Sequence, residues 1–225
     1  MNCEALSESK ELLNLLLTEV QKEVIDRAVK EIKENPENYN IDFFWKLDSS
    51  IGGIGGYCIE FNTTFNPFPA GLNRDLFRPL QYAWADIEVG KDIYSHARHA
   101  VQDSGLHLEW VVKYVAWKTS NRIGRANLSI KKMTLGQGIK ILEERKVLSF
   151  NLIRPLYIFL KLYNKSKHDV NQDEERERLF SPADALISYI SVRIIGRELL
   201  RPYDDEILKG IGENIKRLNG LNMNL

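Results

Sequence analysis

Apolar positions recur at helical intervals along most of this chain, and the places where the rhythm stops mark the ends of helices. Over 8–34, Leu12, Leu13, Leu16, Val20, Ile25, Ala28, Val29 and Ile32 return roughly every 3.6 residues, with Glu and Lys between them. That predicts one long helix, started by Ser7 or Ser9. Asn35-Pro36 ends it, because the residue before a proline is pushed out of helical geometry. From 81 to 103 the rhythm resumes, with Ile87, Gly90, Tyr94, Ala97 and Val101 on one stripe and His96, Arg98 and His99 off it. Asp103-Ser104-Gly105 reads as a break before a new helix over 106–118. That helix carries Leu108, Val111, Val112 and Val115 on one side and Trp110, Tyr114 and Trp117 on another, so it should be buried over most of its surface.

The second half follows the same logic. Thr134 caps a helix whose Leu135, Ile139 and Leu142 face inward. Ser149-Phe150-Asn151 resets the chain, and Pro155 is expected in or near the first turn of the next helix, where a missing N–H costs little. Leu152, Leu156, Phe159, Leu160 and Tyr163 supply that helix's burial. Ser181-Pro182-Ala183-Asp184 is a strong start signal: a capping hydroxyl, a proline at the first helical position and an acid in the first turn. The helix it opens runs through Leu200 and is closed by Arg201-Pro202. A last helix from Asp204 turns Ile207, Leu208, Ile211, Ile215 and Leu218 inward and ends near Gly220.

Between these helices the pattern changes. Residues 36–80 are dense in aromatics and punctuated by Gly and Pro; Tyr57 to Phe61 alternates as a strand does, with Phe43 to Leu47 as a pairing partner. Gly52-Gly53-Ile54-Gly55-Gly56 has neither the order nor the following helix of a phosphate-binding loop and reads as a turn. The region is expected to be a covering arm, with a small hairpin. Residues 119–133 form a polar connector holding Arg122, Arg125, Lys131 and Lys132, and 169–178 a charged loop. Six or seven helices with short breaks predict an all-α multi-helix bundle in a single domain over 1–225, with its helical core at 81–220.

Composition narrows the function classes. The 225 residues are 44% hydrophobic and 28% charged, which argues against disorder over most of the length. Lys plus Arg and Asp plus Glu number 31 each, so a globally basic nucleic-acid binder is not indicated, although a local basic patch stays open. Cys3 and Cys58 build no disulfide framework and no spaced zinc motif. The first twenty residues lack the basic start and small-residue cleavage site of a signal peptide. No apolar run approaches the roughly 18 residues that span a bilayer. The expectation is a cytoplasmic protein with no membrane association.

Candidate chemistry gathers at the end of the helix that follows Asn151. Lys161, Asn164, Lys165 and His168 are spaced three, one and three apart and share one helical face. A polar cluster that closes an otherwise apolar helix is the one feature suggesting a site. His96, His99 and His107 raise the question of a metal, but no carboxylate stands at ligand spacing, so neither metal nor cofactor is expected.

The order of features from Tyr94 to Leu200 resembles the HEPN superfamily of helical domains. Ser95-His96-Ala97-Arg98-His99-Ala100-Val101, leading to Leu106-His107-Leu108-Glu109, resembles the paired early helices. Thr134-Leu135-Gly136-Gln137 with Leu142-Glu143-Glu144 resembles the helix before the motif. Tyr163-Asn164-Lys165-Ser166-Lys167-His168 resembles the motif of arginine, four residues and histidine, often with asparagine directly after the arginine. The match covers about half the chain. Active members are metal-independent endoribonucleases of toxin–antitoxin, abortive-infection and defence systems, commonly dimers whose motif residues line one shared cleft.

The resemblance therefore implies His168 and Asn164 as catalytic residues, and Lys161, Tyr163, Lys165, Lys167 and Glu109 as binding residues. A histidine with a pKa near 6.5 suits proton transfer during attack of a ribose 2′-hydroxyl on the adjacent phosphate, and the arginine would hold the charge gathering on the phosphate oxygens. Here Tyr163 stands where that arginine is expected. The expectation is a HEPN-like protein of the prokaryotic defence or stress type, a homodimer that binds RNA or a protein partner with its ribonuclease activity degraded or lost. An active ribonuclease using His168, and an assembly protein docking through the aromatic arm, are the alternatives.

Overall fold

The structure is a computed structural model that describes residues 5–53, 72–121, 132–168 and 180–207, with the side chains of 72–74, 121 and 168 outside that description. The described residues include eight α-helices and two short 3-10 turns, and no strand occurs among them. In chain order the helices are α1 (Ser7–Leu16), α2 (Glu19–Glu34), α3 (Asp42–Ile51), α4 (Leu72–Ile87), α5 (Ile93–Asn121), α6 (Leu135–Glu144), α7 (Phe150–His168) and α8 (Pro182–Leu200). The expected all-α bundle is what the chain forms.

The long helix expected over 8–34 is two helices. Leu17 is extended, and Thr18 opens α2 with a capping box: its hydroxyl accepts from the Gln21 N–H, and the Gln21 side chain accepts from the Thr18 N–H. Two reciprocal bonds satisfy orphaned amides and make a new start cheaper than continuation. The break also shifts the phase of the stripe. Leu17 is buried and Val20, expected inward, is 71% exposed.

Residues 43–47 are helical rather than a strand. In α3, Phe44 and Trp45 and, one helical turn on, Asp48 are all buried. Along α4, Leu76, Leu80, Ala83 and Ile87 keep the same spacing, and each is fully buried. Over 42–51 and 72–80 the expected arm is therefore part of the core. Aromatic density there came from filling an interior, not from covering one. The proposed strand 57–61 and most of the glycine turn lie outside the described residues.

α5 runs 29 residues without interruption, about 43 Å at 1.5 Å per residue. The expected break at 103–105 does not occur, because Gly105 serves a close helix contact. Pro155 is the sixth residue of α7, just past the first turn that it was expected in or near. It is buried, so packing holds a proline that the backbone alone would disfavour.

α8 is the central rod. Fifteen of its nineteen residues are buried, among them Tyr189, Ile190, Val192 and Ile195, which point in different directions around the axis. A helix apolar all round belongs in the middle of a bundle. Around it pack α5, α1, α2, α3, α4 and α7, while α5 also packs on α4, α6 and α7. Two start signals hold as read: Thr134 forms a capping box with Gln137, and Ser181 with Asp184 behind Pro182. Neither Ser7 nor Ser9 caps α1, whose N-cap is Leu6 with no side-chain hydrogen bond. No described helix is long and apolar enough to cross a membrane.

Candidate functional site

The last two turns of α7 lie along α5, and the i, i+3, i+4 geometry of each helix decides which side chains meet. Arg98 Nε donates to the Ser166 carbonyl at 2.8 Å, and the Gln102 amide donates to the same oxygen. One turn on, the Tyr163 ring is buried against Gly105. One turn further, Glu109 receives Lys113 at 2.7 Å and Lys167 at 3.5 Å. The Lys167 ammonium also stands 3.7 Å over the Tyr163 ring centroid. Burial, reinforced by the charge and hydrogen bonding of Glu109, pushes the Tyr163 phenol well above its ordinary range, so it is neutral at any physiological pH.

Three of the predicted residues, Tyr163, Lys167 and Glu109, thus form one contact set. Lys165 turns the other way and pairs with Glu8 of α1 at 2.7 Å. Burial alone would raise the Glu8 carboxyl, but the hydrogen bond from Lys165 and the backbone bring it below its usual value. Lys161 and Asn164 are exposed on the outer side of α7. His168 closes the helix, and its side chain lies outside the described residues.

A second polar cluster sits where α4 hands over to α5. Gly90, at φ +65°, makes the turn between them and opens the short 3-10 turn Gly90–Asp92. The turn brings Asp86, near the end of α4, beside His96 on the first turns of α5, with Asp86 Oδ1 at 2.7 Å from His96 Nδ1. His99 is one turn along, its ring 5.7 Å from that of His96, edge on. Sequence spacing raised the two histidines and missed the carboxylate, which is ten residues back and arrives only through the turn. Asp103, two turns beyond His96, is raised to about 7, by burial first and then by the charge of Asp86.

A cavity of about 300 Å³ opens between α4, α5 and α8, lined in part by Phe77, His107, Arg193, Gly196 and Arg197. His107, the third histidine, is buried there, and its Nδ1–H donates to the Leu76 carbonyl at 2.5 Å. Burial, with help from the Arg193 charge, pushes it down to about 4, so it is neutral at pH 7. The cavity's arginines are committed to carboxylates. Arg193 Nε donates to Asp48 and Arg197 to Asp204, and the Arg193 Nη2 also donates to the Gly52 carbonyl at 3.0 Å. Among the described side chains, none of those expected from the α7 motif lines this cavity.

Comparison with protein-family models, with curated proteins and with solved structures returns no match for this chain.

Proposed function

We propose that this protein is a HEPN-like helical binding module, of the defence or stress type, that holds RNA or a protein partner and has lost or degraded its ribonuclease chemistry. One observation carries the reading: Tyr163, at the position where the motif has arginine, is a buried ring wedged on Gly105. A catalytic arginine must present a charged fork to phosphate oxygens. A buried neutral phenol presents neither charge nor fork. The lysines close by do not replace it, since Lys113 and Lys167 both approach Glu109 and Lys165 approaches Glu8. What the outer face of α7 does offer is the exposed pair Lys161 and Asn164, suited to contact rather than to proton transfer.

The test is cleavage of a panel of structured and single-stranded RNAs by the purified full chain in EDTA. No cleavage is expected, from the wild type or from His168→Ala. Cleavage by the wild type that disappears in a folded His168→Ala variant overturns the reading in favour of an active ribonuclease. RNA binding followed by fluorescence anisotropy at low salt should weaken in Lys161→Glu if RNA is the partner. Protein capture that depends on the same substitution, without RNA binding, selects a protein.

A further inference from the structure

We propose that Asp86, His96 and His99 bind one divalent first-row transition ion, with zinc the foremost candidate. The site lies outside the α7 motif and does not depend on the functional reading above. Among the described residues, one ligand atom from each of the three side chains lies within 4.8 Å of the others. Nitrogen and carboxylate ligands bind zinc at about 2.0–2.2 Å, which sets tetrahedral neighbours about 3.3–3.5 Å apart. The Asp86–His96 pair, now 2.7 Å apart, has to open by less than an ångström, and His99 has to swing in by about one.

The scaffold suits that adjustment. His96 and His99 are one turn apart on α5, a helix that packs extensively on α4, so the backbone that carries all three groups is fixed. The side chains that must move reach solvent: His99 is exposed, and His96 and Asp86, paired with each other, are partly so. Two imidazoles and one carboxylate select borderline ions over magnesium or calcium, which prefer all-oxygen shells. Three protein ligands on the exposed side leave the remaining position to water, so the ion exchanges with solvent.

The simpler alternative is an Asp–His ion pair with His99 as a neighbour, and it makes a different prediction. Untagged full-length protein is titrated with zinc chloride by calorimetry, and with cobalt(II) by visible absorption. One equivalent of zinc is expected, along with the intense d–d bands of a four- or five-coordinate cobalt centre. His99→Ala and Asp86→Asn should each weaken zinc binding at least about tenfold, since loss of even an outer partner of a metal ligand costs 10- to 100-fold. His99 is exposed, so that variant keeps its fold, which circular dichroism checks. Zinc that binds His99→Ala and Asp86→Asn as tightly as the wild type overturns the proposal. A cobalt spectrum unchanged from the aquo ion overturns it too.

Discussion

Tyr163 rests its ring on the backbone of Gly105: a Cβ at that glycine would come within 2.1 Å of the ring's Cδ2 and 2.5 Å of Cγ. Glycine inside a helix costs about 1 kcal/mol relative to alanine, and here the cost is offset by the approach it allows between α5 and α7. Gly105→Ala should therefore destabilise the fold by about 1–3 kcal/mol, although alanine is the better helix former. Urea unfolding measures it. Combining it with Tyr163→Leu should cost less than the two losses added, because the clash is with the ring.

Asp184 has no exposed surface and gathers donors from two helices. It accepts from the Leu6 N–H at 2.9 Å, the Ser9 hydroxyl at 2.6 Å, and the Ser181 N–H and hydroxyl at 2.8 and 2.7 Å. The same carboxylate caps α8 and pins α1. Asp184→Ala leaves these donors without an acceptor and should cost about 3 kcal/mol or more. Hydrogen exchange should show α1 amides losing protection first. Uniform loss of protection across all helices would contradict the role assigned to α1.

Asp48 and Arg193 form a buried ion pair that joins α3 to α8, with both side chains almost wholly hidden. Losing either partner alone strands a buried charge, so Asp48→Leu and Arg193→Met should each cost about 3–5 kcal/mol. The double variant should recover most of that loss. A double variant as unstable as the sum of the singles would show that the two do not act as a pair.

His107 and Asp103 make opposite contributions to acid stability. In the unfolded chain His107 takes a proton near 6.5, but in the fold only near 4, so its contribution is full above 6.5 and is lost as pH falls through that window. The shift corresponds to about 3 kcal/mol at most. Asp103 is held up to about 7 against 3.8 in its ordinary state, so the fold takes its proton first and gains stability as pH falls from 7 to 3.8. Asp103→Asn removes the gain. Its stability should fall more steeply than that of the wild type between pH 6.5 and 4, and at pH 8 it should be the more stable of the two. Denaturant midpoints that fall equally steeply in the variant and the wild type across that range would overturn the assignment.

Helix boundaries were legible where a local signal coincided with a change in the apolar rhythm. Thr134, Ser181-Pro182 and Asn35-Pro36 mark starts and stops by bonds and sterics within a few residues, and the structure keeps all three. The box at Thr18 and Gln21 was equally local, but the apolar rhythm running across it hid the break. The face of α7 that carries Lys161, Asn164 and Lys165 also followed from spacing alone.

What the chain could not disclose on its own were meetings between distant residues. Whether Gly105 breaks a helix or seats a ring depends on Tyr163, 58 positions away, and aromatic-rich 42–51 becomes core only because α8 lies beneath it. Asp86 joins His96 and His99 through the turn at Gly90. Sequence pattern records which face of a helix is apolar. Which other helix covers that face, and which charge ends up beside which, is settled by packing, because contact energies depend on distances that only the folded chain defines.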